Sequence, residues 1–236
     1  MIIYGINPVV DFIKLFPSKI STLFISKTKS LDYELKSTKN INTKYVSDFE
    51  LKKITGTTKH QSLAAEISIS PTKEFKDFKN NIKEMSDIVL ILDHIKDPQN
   101  LGAISRTSEF FGINTIVIPN KRSAKISAGA IKASAGAIFG INIYEVSNLS
   151  NTIEELKRNN YWILGADING EDVNNQTFDK FVGEKLGIVF GSEDKGVTPR
   201  LKAKCDFLMS ISRLGQTNSL NVSVSSGIFL NRFVND

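Results

Sequence analysis

The run Ile-Val-Leu-Ile-Leu-Asp at 88–93 constrains the fold more than any other stretch of the chain. A continuous apolar run closed by an acid leaves no polar face, which is the pattern of a strand covered on both sides. Further strand-like runs follow at 114–119 (NTIVIP), 141–146 (INIYEV), 161–166 (YWILGA) and 186–191 (LGIVFG). Helical segments separate them, one starting near Leu101, another over 128–138 and a third over 151–159. Strands alternating with helices predict an α/β fold with a mostly parallel sheet. Ligands of such sheets bind beyond the carboxyl ends of the strands, so the loops there are the first candidates for a site.

Ahead of this pattern the chain reads as a small α/β unit. TLFIS (22–26) and SLAAEISIS (62–70) are strand-like, and DYELKST (32–38) and DFELKKI (48–54) are helix-like. The polar, lysine-rich PTKEFKDFKNNIKEMSD (71–87) is predicted to be a linker. The expected division is therefore 1–70, a linker at 71–87, and 88–236.

Charge follows this division. The net charge is +5, and all of the excess lies in residues 1–85, where 14 lysines face 9 acids. All six arginines, Arg106 among them, lie beyond that point. Diffuse lysine suits attraction to a phosphate backbone without sequence readout. A lysine-rich genome bias gives the same excess, so charge alone does not decide. One cysteine, Cys205, excludes an internal disulfide, and two histidines argue against a zinc cluster, so no metal is expected. No apolar run approaches the ~18 residues of a membrane span. The first residues lack a signal-peptide pattern. The expected setting is cytoplasmic and without membrane contact.

Three loops carry unusual chemistry. The first, within 92–112, holds Asn100 as an expected N-cap, with Leu101, Ile104, Ser108 and Phe111 as the stripe facing the sheet. Arg106 points away from that stripe, either as a solvated residue or toward a ligand. The single glycine in DHIKDPQNLG argues against a dinucleotide-type G-x-G-x-x-G loop. The second, IVFGSEDKGV (188–197), bends between glycines. It reads either as a strand-to-helix turn, with Glu193 and Asp194 favouring the helix start, or as a bed where Gly191 admits a flat ligand. The third, SRLGQTNS (212–219), precedes a helix expected to be capped by Ser219 and to run to about Phe233. That helix has two apolar stripes, Leu220, Val224 and Ile228 on one side and Val222, Phe229 and Phe233 on the other. Two apolar sides predict burial on two sides.

Taken together and in this order, the loops resemble the three motifs of the SpoU/TrmH family of RNA ribose 2′-O-methyltransferases, of the trefoil-knot (SPOUT) class. DPQNLGAISRTSEFFG resembles the first motif through Asn100, Gly102 and Arg106. VFGSEDKGV resembles the second through Gly191, Glu193 and Gly196, and SLNVSVSSG the third through Ser219, Leu220 and Asn221. IYGINPVVDFI and TTKHQSLAAEI are similar to the ends of the small substrate-binding domain of bacterial large-subunit rRNA guanosine-2′-O-methyltransferases, which resembles ribosomal RNA-binding proteins (L30e-like) in fold. Two departures stand out: Ser212 and Arg213 follow Ile211 where the family often has Pro-Met, and Ser62 follows His-Gln where glycine is common.

The resemblance implies a knotted C-terminal domain that binds S-adenosylmethionine through backbone groups at Gly191, Ile211 and Leu220. It implies Arg106 beside the reacting ribose hydroxyl, with Asn100, Glu193, Ser219 and Asn221 orienting it. The implied substrate is RNA, with a guanosine of 23S rRNA, free or in a precursor ribosomal particle, first and tRNA as the alternative. A relative that binds RNA without catalysis is a further alternative. The implied assembly is a homodimer through the C-terminal helix.

Overall fold

A computed structural model describes residues 1–28, 41–68 and 72–234. The expected helix over 32–38 lies outside the described residues. The N-terminal unit holds β1 (Ile2–Tyr4), α1 (Ile6–Leu15), β2 (Ile20–Ser26), β3 (Thr43–Val46), α2 (Asp48–Thr55) and β4 (Leu63–Ile67). Its four strands pair in the order β1-β4-β2-β3. The capping box at Ser47 and Glu50 and a left-handed Gly56 set both ends of α2.

The larger unit contains β5 (Thr72–Glu74), α3 (Phe75–Asn81), β6 (Ile88–Asp93), α4 (Pro98–Phe110), β7 (Thr115–Pro119), α5 (Ala128–Ala133), β8 (Asn142–Val146), α6 (Leu149–Arg158), β9 (Trp162–Asp172), β10 (Leu186–Gly191), α7 (Pro199–Lys202), β11 (Phe207–Ser210) and α8 (Val222–Phe233). Its seven strands run β11-β9-β10-β6-β7-β8-β5, and every pairing is parallel. All six residues of β6 are buried, as an apolar run between two layers requires. α4 and α8 pack on one side of the sheet, and α6 on the other, in separate apolar clusters. The small unit joins the first of these clusters, where Phe12 meets Phe139 edge to face at 4.6 Å. No helix among the described residues is long and apolar enough to cross a membrane.

Four expectations are corrected. Most of the expected linker is built structure: β5 pairs with β8, and α3 buries Phe78 against Tyr144 at 5.3 Å. Phe75, Phe78 and Ile82 form an apolar face hidden among the lysines. The strand expected over 161–166 is longer, because β9 continues to Asp172 and pairs there with β11. Gly170 permits that pairing, since a Cβ would lie 2.5 Å from the Met209 nitrogen. Helix α4 starts at Pro98 and is capped by Asp97, whose carboxylate accepts the Gln99 N–H at 2.8 Å, and not by Asn100. Proline at the first helical position favours that start. Helix α8 is capped by Asn221 and not by Ser219.

Candidate active site

The carboxyl ends of β6 and β10 lie side by side, with Asp93 in register with Gly191. Their following loops therefore meet, and α8 crosses α4 beside them. A hydrogen-bond chain links three distant segments at this place. The Asn100 Nδ2 donates to Glu193 Oε1, and the Asn221 Nδ2 donates to Asn100 Oδ1 at 3.0 Å. The same Asn221 caps α8 by accepting the Ser223 N–H at 2.9 Å. Freed from capping α4, Asn100 is 7% exposed and uses both ends of its amide in the chain. Glu193 does not serve a helix start, since α7 begins only at Pro199.

The second loop is tied further. Ser192 and Gly196 form a small bridge, and the Thr198 N–H donates to Asp93 Oδ2 at 2.7 Å. Asp93 is 1% exposed, and its other oxygen meets His94 Nδ1 at 2.6 Å. Asp93 is not among the site residues expected from sequence, although an acid closing an all-apolar strand is a signal for it. Gly191 is required for a reason other than the expected one: a Cβ there would lie 1.8 Å from the Gly196 carbonyl carbon. Its space is taken by its own loop. Gly102 has a similar role, because a Cβ would stand 2.3 Å from the Ala130 carbonyl oxygen where α5 packs on α4.

The third loop, 211–220, differs. Among the described residues none of its backbone N–H or C=O groups is hydrogen-bonded within the protein. Its two unusual residues make side-chain ties: the Ser212 hydroxyl donates to Asp172, and Arg213 donates to Asn218 at 3.2 Å. The Ser212 bond is the main cause that holds the Asp172 carboxyl below the usual carboxylate range. Ile211 packs partly against the core, while Leu220 is 48% exposed.

Arg106 is exposed on α4, about 9 Å of helix rise beyond Asn100. Neither Arg106 nor Ser219 joins the Asn100–Glu193–Asn221 chain, and neither side chain has an ion pair or hydrogen bond among the described residues. The two stripes of the last helix have different fates. Val222, Phe229 and Phe233 are buried, whereas Val224 and Ile228 lie exposed with Leu220. Among the described residues no cluster of three histidine, cysteine or acidic side chains could hold a metal.

Residues 87–231 match the SpoU rRNA methylase family, and residues 2–72 match the RNA 2′-O ribose methyltransferase substrate-binding family. An uncharacterized tRNA/rRNA methyltransferase of Borreliella burgdorferi is 37% identical over 212 residues, 86% of this chain and 91% of that protein. A second such protein, from Archaeoglobus fulgidus, is 41% identical over 167 residues, 69% of this chain and 71% of its own length. Among solved structures, a putative RNA methyltransferase of the TrmH family from Porphyromonas gingivalis superposes with a TM-score of 0.77 at 22% identity, covering 98% of this chain and 88% of that one. The SpoU methyltransferase AviRb of Streptomyces viridochromogenes, in complex with AdoMet, gives 0.77 at 18% identity, with 99% and 89% covered. At these identities the structures show the fold.

Proposed function

This chain belongs to the SpoU rRNA methylase family, and we propose that it methylates a ribose 2′-hydroxyl of large-subunit rRNA, at a guanosine, using S-adenosylmethionine. The observation that carries this reading is the Asn100–Glu193–Asn221 chain, which draws three sequence motifs to one point at the strand ends. The substrate-binding match at 2–72 supports an RNA target, and the resemblance of IYGINPVVDFI and TTKHQSLAAEI to the large-subunit enzymes favours rRNA over tRNA.

The residues present fit the cofactor. The unpaired main chain of 211–220 offers donors and acceptors, Ile211 and Leu220 offer apolar surface, and the backbone at Gly191 stands on a fixed loop. When bound, S-adenosylmethionine supplies an electrophilic methyl on a sulfonium sulfur. The chain's own task is to make the ribose hydroxyl a nucleophile. Arginine keeps its charge and cannot take the hydroxyl proton, which would pass to water; Arg106 acts by donating hydrogen bonds to the developing alkoxide and to a neighbouring phosphate. Asn100, Glu193 and Asn221 hold α4 and the loops in register around it, with Ser219 at the mouth of the third loop. A second copy covers the exposed Val224 and Ile228 on α8, giving a homodimer; a monomer by light scattering at micromolar protein would remove that part.

The test uses tritiated cofactor and unmodified large-subunit rRNA. Arg106→Ala is expected to lower kcat by about 10²–10³-fold, the size of one lost donor to a developing oxyanion. Cofactor affinity by calorimetry should stay within about twofold. Full activity in the variant would sink the role, and absence of both transfer and cofactor binding in the native protein would leave an RNA-binding relative.

A further inference from the structure

Away from the strand ends, α2 and the 58–62 loop border an open concavity of about 470 Å³ lined by Asp48, Phe49, Lys52, Thr58, His60 and Gln61. Phe49 is 66% exposed, and the Lys53 ammonium sits 4.7 Å from its ring centroid. Lys52, Lys53 and Lys59 are exposed and make no ion pair among the described residues. The floor is strained: Gln61 and Ser62, neither a glycine, take φ of 55° and 66°. They are held there because Gln61 Oε1 accepts the Ile6 N–H at 3.0 Å and the buried His60 accepts the Ser62 N–H at 3.1 Å. Such strain persists where surrounding contacts enforce it and points to use. One acid lines the concavity. Asp48 is kept below the usual carboxylate range by the Ser26 and Thr28 hydroxyls, so it offers acceptors to an amino or imino group.

We propose that this concavity takes one unstacked nucleotide of a single-stranded stretch of the substrate RNA. The base lies on Phe49 with its donor edge toward Asp48, and Lys52, Lys53 and Lys59 hold the flanking phosphates. The inference rests on the RNA reading above and adds the place and mode of docking. An exposed ring rimmed by lysines without ion pairs matches stacking plus phosphate attraction, the combination that binds single strands. A duplex keeps its base faces covered and gives Phe49 nothing to stack on. A protein partner of ordinary kind would need a larger apolar patch than one ring.

Fluorescence anisotropy with labelled single-stranded and duplex RNA tests this on the full chain. Phe49→Ala should raise the Kd for single strands about tenfold, the order expected for one stacked base, and leave the duplex Kd and the melting temperature unchanged. Phe49→Tyr should restore affinity. Replacing Lys52 and Lys53 by alanine should reduce the salt slope for single strands by about 0.7 per lysine. Single-strand binding by Phe49→Ala within twofold of the native value, or equal losses on single strand and duplex, would overturn the proposal. A native protein that binds through Phe49 yet transfers no methyl would overturn the methyltransferase reading instead.

Discussion

The loops after β10 and β11 face the same end of the sheet, but they are held in different ways. Residues 192–198 are fixed from within by the Ser192–Gly196 bridge, the Asp93–Thr198 bond and the Asn100–Glu193 bond. Residues 211–220 have no main-chain bond of their own and lean on two side-chain ties. One loop is a wall built before any ligand arrives. The other has backbone groups to give, and a ligand that uses them also supplies its order, at the entropic cost that ordering carries. Substitutions in the first loop should therefore strike stability and binding together, and those in the second should strike binding alone.

The most severe break in the wall is Gly191→Ala. Its Cβ would fall 1.8 Å from main chain that cannot step aside, so roughly 3 kcal/mol of stability should be lost. Calorimetry should show a melting point lower by about 10 °C and no measurable cofactor binding. A melting point unchanged to within two degrees would mean that the loop is not a fixed wall. Asp93→Ala is the intermediate case. It leaves the Thr198 N–H without its partner, a loss of about 1–3 kcal/mol that urea unfolding would register, together with weaker cofactor binding. Leu220→Ala should move least. The side chain is 48% exposed, so stability should stay within about 0.5 kcal/mol. Its several-fold weaker cofactor affinity by titration would sharpen the contrast, and a large fall in stability would erase it.

Much of this contrast could be read in advance, but not its causes. The glycine-rich bend at 191–196 announces a tight turn, yet only the folded loop shows that its own Gly196 and Val197 fill the space at Gly191. Asn100 and Ser219 both have cap chemistry. In the fold the caps belong to Asp97 and Asn221, because Pro98 draws the α4 start forward and because Asn221 serves the cap and the site at once. Two phenylalanines and one isoleucine among lysines mask α3, whose apolar face is narrow. The two stripes of α8 were plain from spacing, whereas their unequal burial depended on α4 and the sheet being on one side only.

By itself the sequence determined what depends on near neighbours along the chain. The apolar runs at 88–93 and 186–191 specify strands covered on both faces, the alternation with helices specifies a parallel sheet, and the three motifs specify the family. The tertiary structure alone decided what depends on partners far apart. The Asn100–Glu193 and Asn100–Asn221 bonds span 93 and 121 residues. No local period encodes such a pair, since it forms only when the strand order sets β10 beside β6 and returns α8 across α4. The exposure of Phe49 is of the same kind: in the sequence it is one more aromatic on a short helix, and only the packing of α2 leaves its ring at the surface.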